Sequence, residues 1–341
     1  MSKKLLLTSL VFALVVGSLI GCTPTKVELK TVTMVTDSGG VDDKSFNQSA
    51  WEGLETFGDA NKDKVKVNYI ESSTADDYAP NLTASVTEGA GLTWAVGYMM
   101  AQQLQDAAAN NPDVQFGIID WAPETADEAL ENVSYVTFKE HEGSFLVGLI
   151  AGLTTKSNNV GFVGGMSGGL IKKFEVGFCA GVKTVNPDAK VQIEYAEDWG
   201  NLDKGEQIAT TMINNGADVV YHAAGGTGIG VAAACNNNQV HFIGVDVDQS
   251  ELTQYTLTSM LKRVDTAVKT ISGEWLADEF EGKKIQALGL KEDGVGYVYD
   301  PAKISDEIKA IVSDYEAKVK AGELSIPSTQ EELDAYVAGL K

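Results

Sequence analysis

Three aspartates in this sequence of 341 residues each stand directly after a short apolar run of the kind that forms a buried β-strand. They are Asp37, Asp120 and Asp246. Ligands of open α/β sheets bind beyond the carboxyl ends of the strands, so we expect the three carboxylates to face one cleft. Carboxylates accept hydrogen bonds from ribose hydroxyls or ring N–H groups, and they repel phosphate. Each aspartate could instead cap the helix that follows its strand, and three acids together would also suit hydrolysis.

Two aromatic residues occupy matching places in the two halves of the chain. Phe46 begins a predicted helix after the first strand and its glycine turn, and Trp199 lies between a later predicted strand and helix. Aromatic rings on opposite walls of a cleft can enclose a planar ring, and each stacking contact contributes about 1–3 kcal/mol. Core packing would equally explain Phe46, and a sugar ligand would also accept aromatic walls.

Three further places along the chain could contact a ligand. Asn47 follows Phe46 at the start of the same predicted helix. Gly225 and Gly226 belong to a glycine-rich run that lacks the spacing of a dinucleotide-binding loop. Such a run favours close backbone approach to an uncharged ligand. Lys262 stands at the start of a predicted helix, where it could donate to a ligand hydroxyl or lie in solvent.

The spacing of apolar residues predicts a regular alternation of strands and helices in two series. In the first series, strands are predicted at 31–36, 64–70, 92–96, 115–119 and 133–138, and helices at 46–61, 78–88 and 100–110. In the second series, strands are predicted at 159–163, 190–195, 219–222 and 241–244, and helices at 143–153, 171–186, 203–215 and 228–237. This alternation predicts two doubly wound, Rossmann-like lobes, each a parallel sheet with helices on both faces.

The chain is expected to cross between the two lobes several times. Residues 256–259 are predicted to form a strand that returns to the first lobe, with a helix over 260–280 behind it. The first lobe would then contain residues 31–140 plus 255–285, and the second lobe residues 141–254 plus 286–341. A hinge made of several strands follows from this arrangement, and closure of the lobes around a ligand is the expected motion.

The N-terminal segment has the pattern of an export signal. Two lysines precede a long apolar run, and Leu19-Ile20-Gly21-Cys22 matches the bacterial lipobox. Residues 1–21 thus resemble a lipoprotein signal peptide, which implies lipidation of the Cys22 thiol and a tether over residues 22–30. An uncleaved anchor helix is the alternative, although the apolar run is shorter than the roughly 20 residues that a spanning helix needs.

Composition and the scarcity of reactive side chains argue against several classes of protein. The formal net charge of −22 argues against nucleic acid as a partner, because phosphate binding needs a basic surface. No histidine or cysteine cluster has metal-ligand spacing, so neither a metal nor a cofactor is expected, and Cys179 and Cys235 are expected to be buried free thiols. The acid-rich loop 37–43 is similar to the metal-binding loop of nucleoside hydrolases, but that family has another aspartate where Val35 stands.

Six motifs together resemble those of one known family. They are DSGGVDDKSFNQ (37–48), FLVG (145–148), GFVGGM (161–166), AAGGTG (223–228), GVDVDQ (244–249) and TSMLKR (258–263). The family is the basic membrane protein family of bacterial lipoproteins, the purine nucleoside-binding substrate proteins of ABC importers. The resemblance covers essentially the whole mature chain. It implies a type I periplasmic-binding-protein fold, with a nucleoside between two lobes.

The same resemblance implies which residues hold the base. In the family the base is stacked between two aromatic rings. The first ring matches Phe46, and the second, commonly a phenylalanine, falls by position on Trp199. Asn47 and Asp120 match base-contacting positions, and Asp37 lies beside them.

For the ribose, the resemblance implies Asp246 and Lys262, near Gly225 and Gly226, while the lipid would be carried by Cys22. We therefore expect a monomeric, non-enzymatic receptor on the extracytoplasmic face of the cell membrane. Its expected partners are a nucleoside, in particular a purine nucleoside, and an ABC permease. The alternatives are a binder of another small ligand, such as a sugar or an autoinducer, and, less favoured, a nucleoside hydrolase.

Overall fold

The computed structural model describes residues 29–340, which form two α/β lobes. Each lobe contains a six-stranded, mostly parallel sheet with hydrophobic clusters beneath its covering helices. This architecture confirms the fold class expected from the strand–helix alternation. The predicted signal peptide and Cys22 lie outside the described residues.

The strands and helices are numbered in chain order. The strands are β1 (Lys30–Thr36), β2 (Val65–Ile70), β3 (Leu92–Val96), β4 (Gln115–Ile119), β5 (Val133–Phe138), β6 (Asn159–Gly164), β7 (Lys190–Tyr195), β8 (Val219–Ala223), β9 (His241–Asp246), β10 (Thr256–Lys262), β11 (Ile285–Leu288) and β12 (Val295–Tyr297). The helices are α1 (Phe46–Ala60), α2 (Tyr78–Thr87), α3 (Ala101–Asn110), α4 (Glu140–Thr154), α5 (Gly169–Val185), α6 (Leu202–Asn214), α7 (Thr227–Asn238), α8 (Val264–Leu276), α9 (Asp306–Lys320) and α10 (Gln330–Gly339).

The two sheets share one strand order. The first runs β11-β5-β4-β3-β1-β2, and the second runs β12-β10-β9-β8-β6-β7. Only the edge strand β12 of the second sheet pairs antiparallel to its neighbour within the described residues. The strand order reverses at β1 in the first sheet and at β6 in the second, and crevices at such reversals are the usual binding places of doubly wound folds.

The central strands are buried on both faces. Every residue of β3 and of β8 is buried. Strands that are covered on both sides by helices have continuous apolar sequences rather than an alternating pattern. The carboxyl ends of these rigid strands therefore provide fixed attachment points for the loops of the site. Among residues 29–340, no helix has the length and apolar character needed to span a bilayer.

The strand that was expected to return to the first lobe at Thr256 belongs instead to the second, so this prediction is wrong. Strand β10 pairs in parallel with β9 and continues to Lys262, and α8 begins only at Val264. The stretch after Ser259 is compatible with either strand or helix, and pairing with β9 decides the outcome. Helix α8 then packs on α1 of the first lobe.

Two predicted lobe boundaries shift as a result. The chain re-enters the first lobe after Lys262 rather than at residue 255, and it remains there through β11, which ends at Leu288. Strand β12 then joins the second sheet. Within the described part of the chain, three segments therefore connect the lobes, and Lys262 lies at one of these crossings rather than inside a helix.

Candidate ligand-binding site

A cavity lined by residues of both lobes lies at the carboxyl ends of the strands. The structure brings together at its walls all but one of the amino acids singled out from the sequence. They are Asp37, Phe46, Asn47, Asp120, Trp199, Gly225, Asp246 and Lys262. Gly226 does not line the cavity. It lies beside a residue that does, since a Cβ at Gly226 would be 3.3 Å from the backbone oxygen of Trp199.

The side-chain amide of Asn47 has a fixed orientation. Its Nδ2 donates to Asp37 Oδ1 at 2.8 Å and to Asp43 Oδ2 at 3.0 Å. Rotating the amide would place its oxygen against two carboxylates. Asn47 Oδ1 is buried and has no partner among the described residues. Asn47 therefore presents a hydrogen-bond acceptor, not a donor, to whatever occupies the cavity.

Asp43, which the sequence analysis did not assign to the site, holds the first turn of α1. Its carboxylate accepts from the backbone N–H groups of Ser45, Asn47 and Gln48 at 2.9, 2.8 and 3.1 Å. These bonds satisfy donors that a helix N-terminus leaves free. Burial raises the pKa of Asp43, although the same N–H groups counteract the rise. Burial likewise raises the pKa of Asp37, to about 6.

Asp120 and Asp246 end strands at equivalent positions of the two sheets and share an unusual backbone conformation. Their φ angles are 70° and 67°. A left-handed conformation is uncommon outside glycine but tolerated by aspartate, and it often occurs at functional sites. Asp246 accepts a hydrogen bond from Ser45 Oγ of the other lobe. Burial raises the pKa of Asp246 to about 7, and Lys262 and Ser45 offset part of the rise.

Lys262 is a buried cation and not a surface lysine. Its Nζ lies 2.7 Å from Asp120 Oδ2 and 3.3 Å from Glu140 Oε1. Glu140 also pairs with Lys173 at 3.3 Å, so that four charges of alternating sign form a row. Burial alone would lower the pKa of Lys262, but Asp120, Glu140 and Asp246 together raise it above its ordinary value. Lys262 is therefore charged at neutral pH.

Aromatic rings surround this cation. The Nζ of Lys262 lies 5.0 Å from the ring centre of Phe46, 5.2 Å from that of Phe138 and 5.5 Å from that of Phe174. Distances below about 6 Å are typical of cation–π attraction. The ring of Phe46 therefore lies close to the charged end of Lys262. The same residue lines the cavity.

Trp199 lines the second lobe's side of the cavity. A Cβ at Gly165, just after β6, would lie 2.2 Å from Trp199 Cζ3, so only glycine leaves room for the indole ring. Trp199 Nε1 is buried and lacks a partner among the described residues. Phe46 and Trp199 therefore belong to opposite lobes and border the same space.

Several cavity residues escaped the sequence analysis. Besides Asp43 they include Tyr98, Leu170, Ile171 and Phe174. Tyr98 follows β3, and the other three lie in the first two turns of α5. Asp37 and Trp199 were selected because each follows a predicted strand. The same criterion, applied to every strand of the two series, points to the segments that hold these residues.

The described residues contain no cluster of three histidine, cysteine or acidic side chains arranged to hold a metal ion. Cys179 and Cys235 are free and buried, and burial raises the pKa of both thiols to about 12. Neutral thiols are poor nucleophiles. The two cysteines are therefore packing residues. The acid-rich loop after β1 accepts hydrogen bonds from the side chain of Asn47 and from the first turn of α1.

Comparisons with known proteins give a consistent picture. Residues 30–330 match the family described as "Bmp: ABC transporter substrate-binding protein PnrA-like". The CD4+ T-cell-stimulating antigen of Listeria monocytogenes is 44% identical over 87% of this chain and 88% of its own. The ABC transporter nucleoside-binding protein BmpA of Lactococcus lactis is 36% identical over 96% and 100%. Basic membrane protein A of Borreliella burgdorferi is 33% identical over 98% of each chain.

Among solved structures, an ABC transporter solute-binding protein from Aeropyrum pernix K1 superposes with a TM-score of 0.81. It is 24% identical in sequence and covers 91% of this chain and 97% of its own. This likeness concerns the fold. The sequence matches go further: the chain belongs to the Bmp family of ABC transporter substrate-binding proteins, which bind their ligands for transport and are not enzymes.

Proposed function

We propose that this protein captures a purine nucleoside outside the cell and delivers it to the permease of an ABC importer. The observation that carries the proposal is the cavity itself, which is lined by an aromatic ring from each lobe and by residues with buried hydrogen-bond acceptors. The relative from Lactococcus lactis is named as a nucleoside-binding protein, which supports the same ligand class.

The base is proposed to lie between Phe46 and Trp199. Asn47 Oδ1 and Asp120 Oδ1 are both buried acceptors without a partner among the described residues. A buried acceptor that stays unpaired costs about 1–3 kcal/mol. A base with an amino group or a ring N–H would satisfy them, and it would gain about 1–3 kcal/mol from each stacking contact.

The sugar is proposed to lie near Asp246, Lys262 and Gly225. The carboxylate of Asp246 would accept from ribose hydroxyls, while the ammonium of Lys262 would donate to a ribose oxygen. Lys262 is already neutralised by Asp120 and Glu140. Among the described residues of the cavity wall, no other cation is left to balance a phosphate, and we expect nucleotides to be rejected.

The proposed anchor is a lipid on Cys22, which would hold a monomeric receptor at the outer face of the membrane through the tether 22–30. Membrane binding by one lipidated segment leaves the two lobes free to open and close in solution. A mass of the mature protein that matches cleavage before Cys22 plus a diacylglyceryl group would support the anchor, and a chain that retains residues 1–21 would contradict it.

Titration calorimetry with guanosine, adenosine and inosine tests the ligand class. We expect micromolar or tighter binding of at least one of them. Purine riboside has no donor on its base and should bind at least about tenfold more weakly, because the buried acceptors stay unpaired. Guanosine monophosphate serves as the charged control and should not bind. Binding of free ribose without binding of any nucleoside would contradict the proposal and favour a sugar receptor.

Nucleoside affinity is also expected to fall as the pH is lowered. An ionised carboxylate accepts two hydrogen bonds, and a proton competes with them below its pKa, which burial raises to about 7 for Asp246. For Asp246 alone, Kd should rise about tenfold between about pH 8 and about pH 6. Calorimetry in buffers with different heats of ionisation should detect proton release on binding near neutral pH. A constant Kd over this interval would contradict the assignment.

A further inference from the structure

Gln249 lies next to the cavity without lining it, and it contacts both lobes. The residue is only 3% exposed and follows β9 in the second lobe. Its backbone N–H donates to Ser259 Oγ at 3.0 Å. Its Oε1 accepts from the backbone N–H of Val245 at 3.0 Å and faces His222 Nε2 at 2.8 Å. Gln249 is therefore fixed within the second lobe.

The other end of the side chain reaches the first lobe. Gln249 Nε2 donates to the carbonyl oxygen of Lys44 at 2.8 Å. If the amide were turned around, Gln249 Oε1 would face the carbonyl oxygen of Lys44, and the NH₂ group would face the N–H of Val245. The orientation of the amide is therefore fixed. Because Gln249 Oε1 is an acceptor, the proton of its contact with His222 is carried by Nε2. Burial lowers the pKa of His222 to about 4, which keeps the ring neutral. Contacts within the second lobe thus determine that the NH₂ group of Gln249, and not its oxygen, faces the first lobe.

A second bond crosses the cleft at the adjacent position. Ser45 Oγ donates to the carboxylate of Asp246. Lys44 and Ser45 immediately precede Phe46 and Asn47, and Asp246 and Gln249 belong to one turn. The two bonds together set the distance between the proposed base-binding residues of the first lobe and the proposed sugar-binding residue of the second.

We propose that Gln249 is a positioning residue for ligand capture. Its hydrogen bond to the Lys44 carbonyl holds the first turn of α1 against the β9 turn, and so retains a ligand that Gln249 does not touch. This inference rests on the proposed function for the identity of the ligand. The hydrogen bond between the lobes does not depend on that identity. Loss of the bond should speed ligand release and leave the rate of entry nearly unchanged.

The test uses two replacements and stopped-flow kinetics with guanosine. Gln249→Met keeps the length of the side chain and removes the donor to Lys44 together with the acceptor of the Val245 N–H, and we expect dissociation about tenfold faster, with association within about twofold of the parent. Gln249→Glu keeps the acceptor. It should release ligand at least as fast as Gln249→Met at about pH 9, and more slowly once the pH falls below the pKa of the introduced carboxyl, which burial raises above its ordinary value of about 4.3, because the protonated group can donate to Lys44. Each variant is compared with the parent at the same pH, because Asp43 and Asp246 also titrate nearby.

The exposed residue Gln207 on α6 supplies the matched control, and Gln207→Met should leave both rates unchanged. A dissociation rate of Gln249→Met within twofold of the parent overturns the inference, as does a Gln249→Glu variant whose ratio to the parent ignores pH. If guanosine does not bind the parent, the nucleoside proposal fails, and the lobe spacing is read by small-angle X-ray scattering without ligand. A larger radius of gyration for Gln249→Met than for the parent then supports the inference, and an equal radius overturns it.

Discussion

Replacing Lys262 with methionine is expected to lower the free energy of unfolding by about 3–5 kcal/mol. Methionine fills similar space but leaves the buried carboxylates of Asp120 and Glu140 facing each other without the ammonium that lies 2.7 and 3.3 Å from them. Urea denaturation followed by circular dichroism measures the change. Lys269 is exposed on α8, and Lys269→Met should change stability by no more than about 0.5 kcal/mol.

A second variant separates lost charge pairing from lost packing. Removing the three buried charges of the row, with Asp120→Asn and Glu140→Gln added to Lys262→Met, leaves only the partly exposed Lys173. This triple variant should recover much of the stability, because a buried ion pair contributes little more than neutral groups of the same shape. A triple variant as unstable as Lys262→Met alone would show that packing, not the unpaired charge, causes the loss.

Asp246→Asn should weaken guanosine binding by about a hundredfold. Hydrogen bonds to a charged acceptor contribute about 1.5–3 kcal/mol each, and the carboxylate is placed to accept from ribose hydroxyls. Free guanine, which has no sugar, should lose far less affinity. Calorimetry with guanosine, 2′-deoxyguanosine and guanine measures the three changes, and the variant should also lose most of the pH dependence described for the parent.

The neighbouring acid provides the control for this experiment. Asp248 lies exposed two residues further along, and within residues 29–340 it accepts only from the backbone N–H of Ser250. Asp248→Asn should bind guanosine like the parent. An equal loss of guanosine and guanine affinity in Asp246→Asn would place this carboxylate at the base instead of the sugar.

The sequence pattern was sufficient for most of the architecture. Strands such as β3 and β4 were predicted with the bounds that the structure shows, because their apolar runs are short and end at glycine or acid. The same ends led to Asp37, Asp120 and Asp246, since parallel strands bring their carboxyl ends to one edge of a sheet. The rule works because it depends on topology and not on side-chain contacts.

The places where prediction failed depend on tertiary pairing. The run over Thr256–Lys262 fits either a strand that stops early or one that continues, and only its neighbour β9 extends it to Lys262. The burial of Lys262 could not be foreseen, because its partners Asp120 and Glu140 are more than a hundred residues away in the sequence. Strand β11 has only four residues and no fully buried position, so it gives no periodic signal.

The shared strand order of the two sheets means that the cavity consists of two half-sites related by approximate internal symmetry. Asp120 and Asp246 are counterparts, each with a left-handed backbone. A ligand with two chemically distinct ends could enter such a space in either direction. The two halves differ at Asp37 against Gly165 after the first strands, and at Phe138 against Lys262 on the fifth. Of these four residues, Asp37 and Lys262 line the cavity, so we expect them to decide which end of a ligand enters which half.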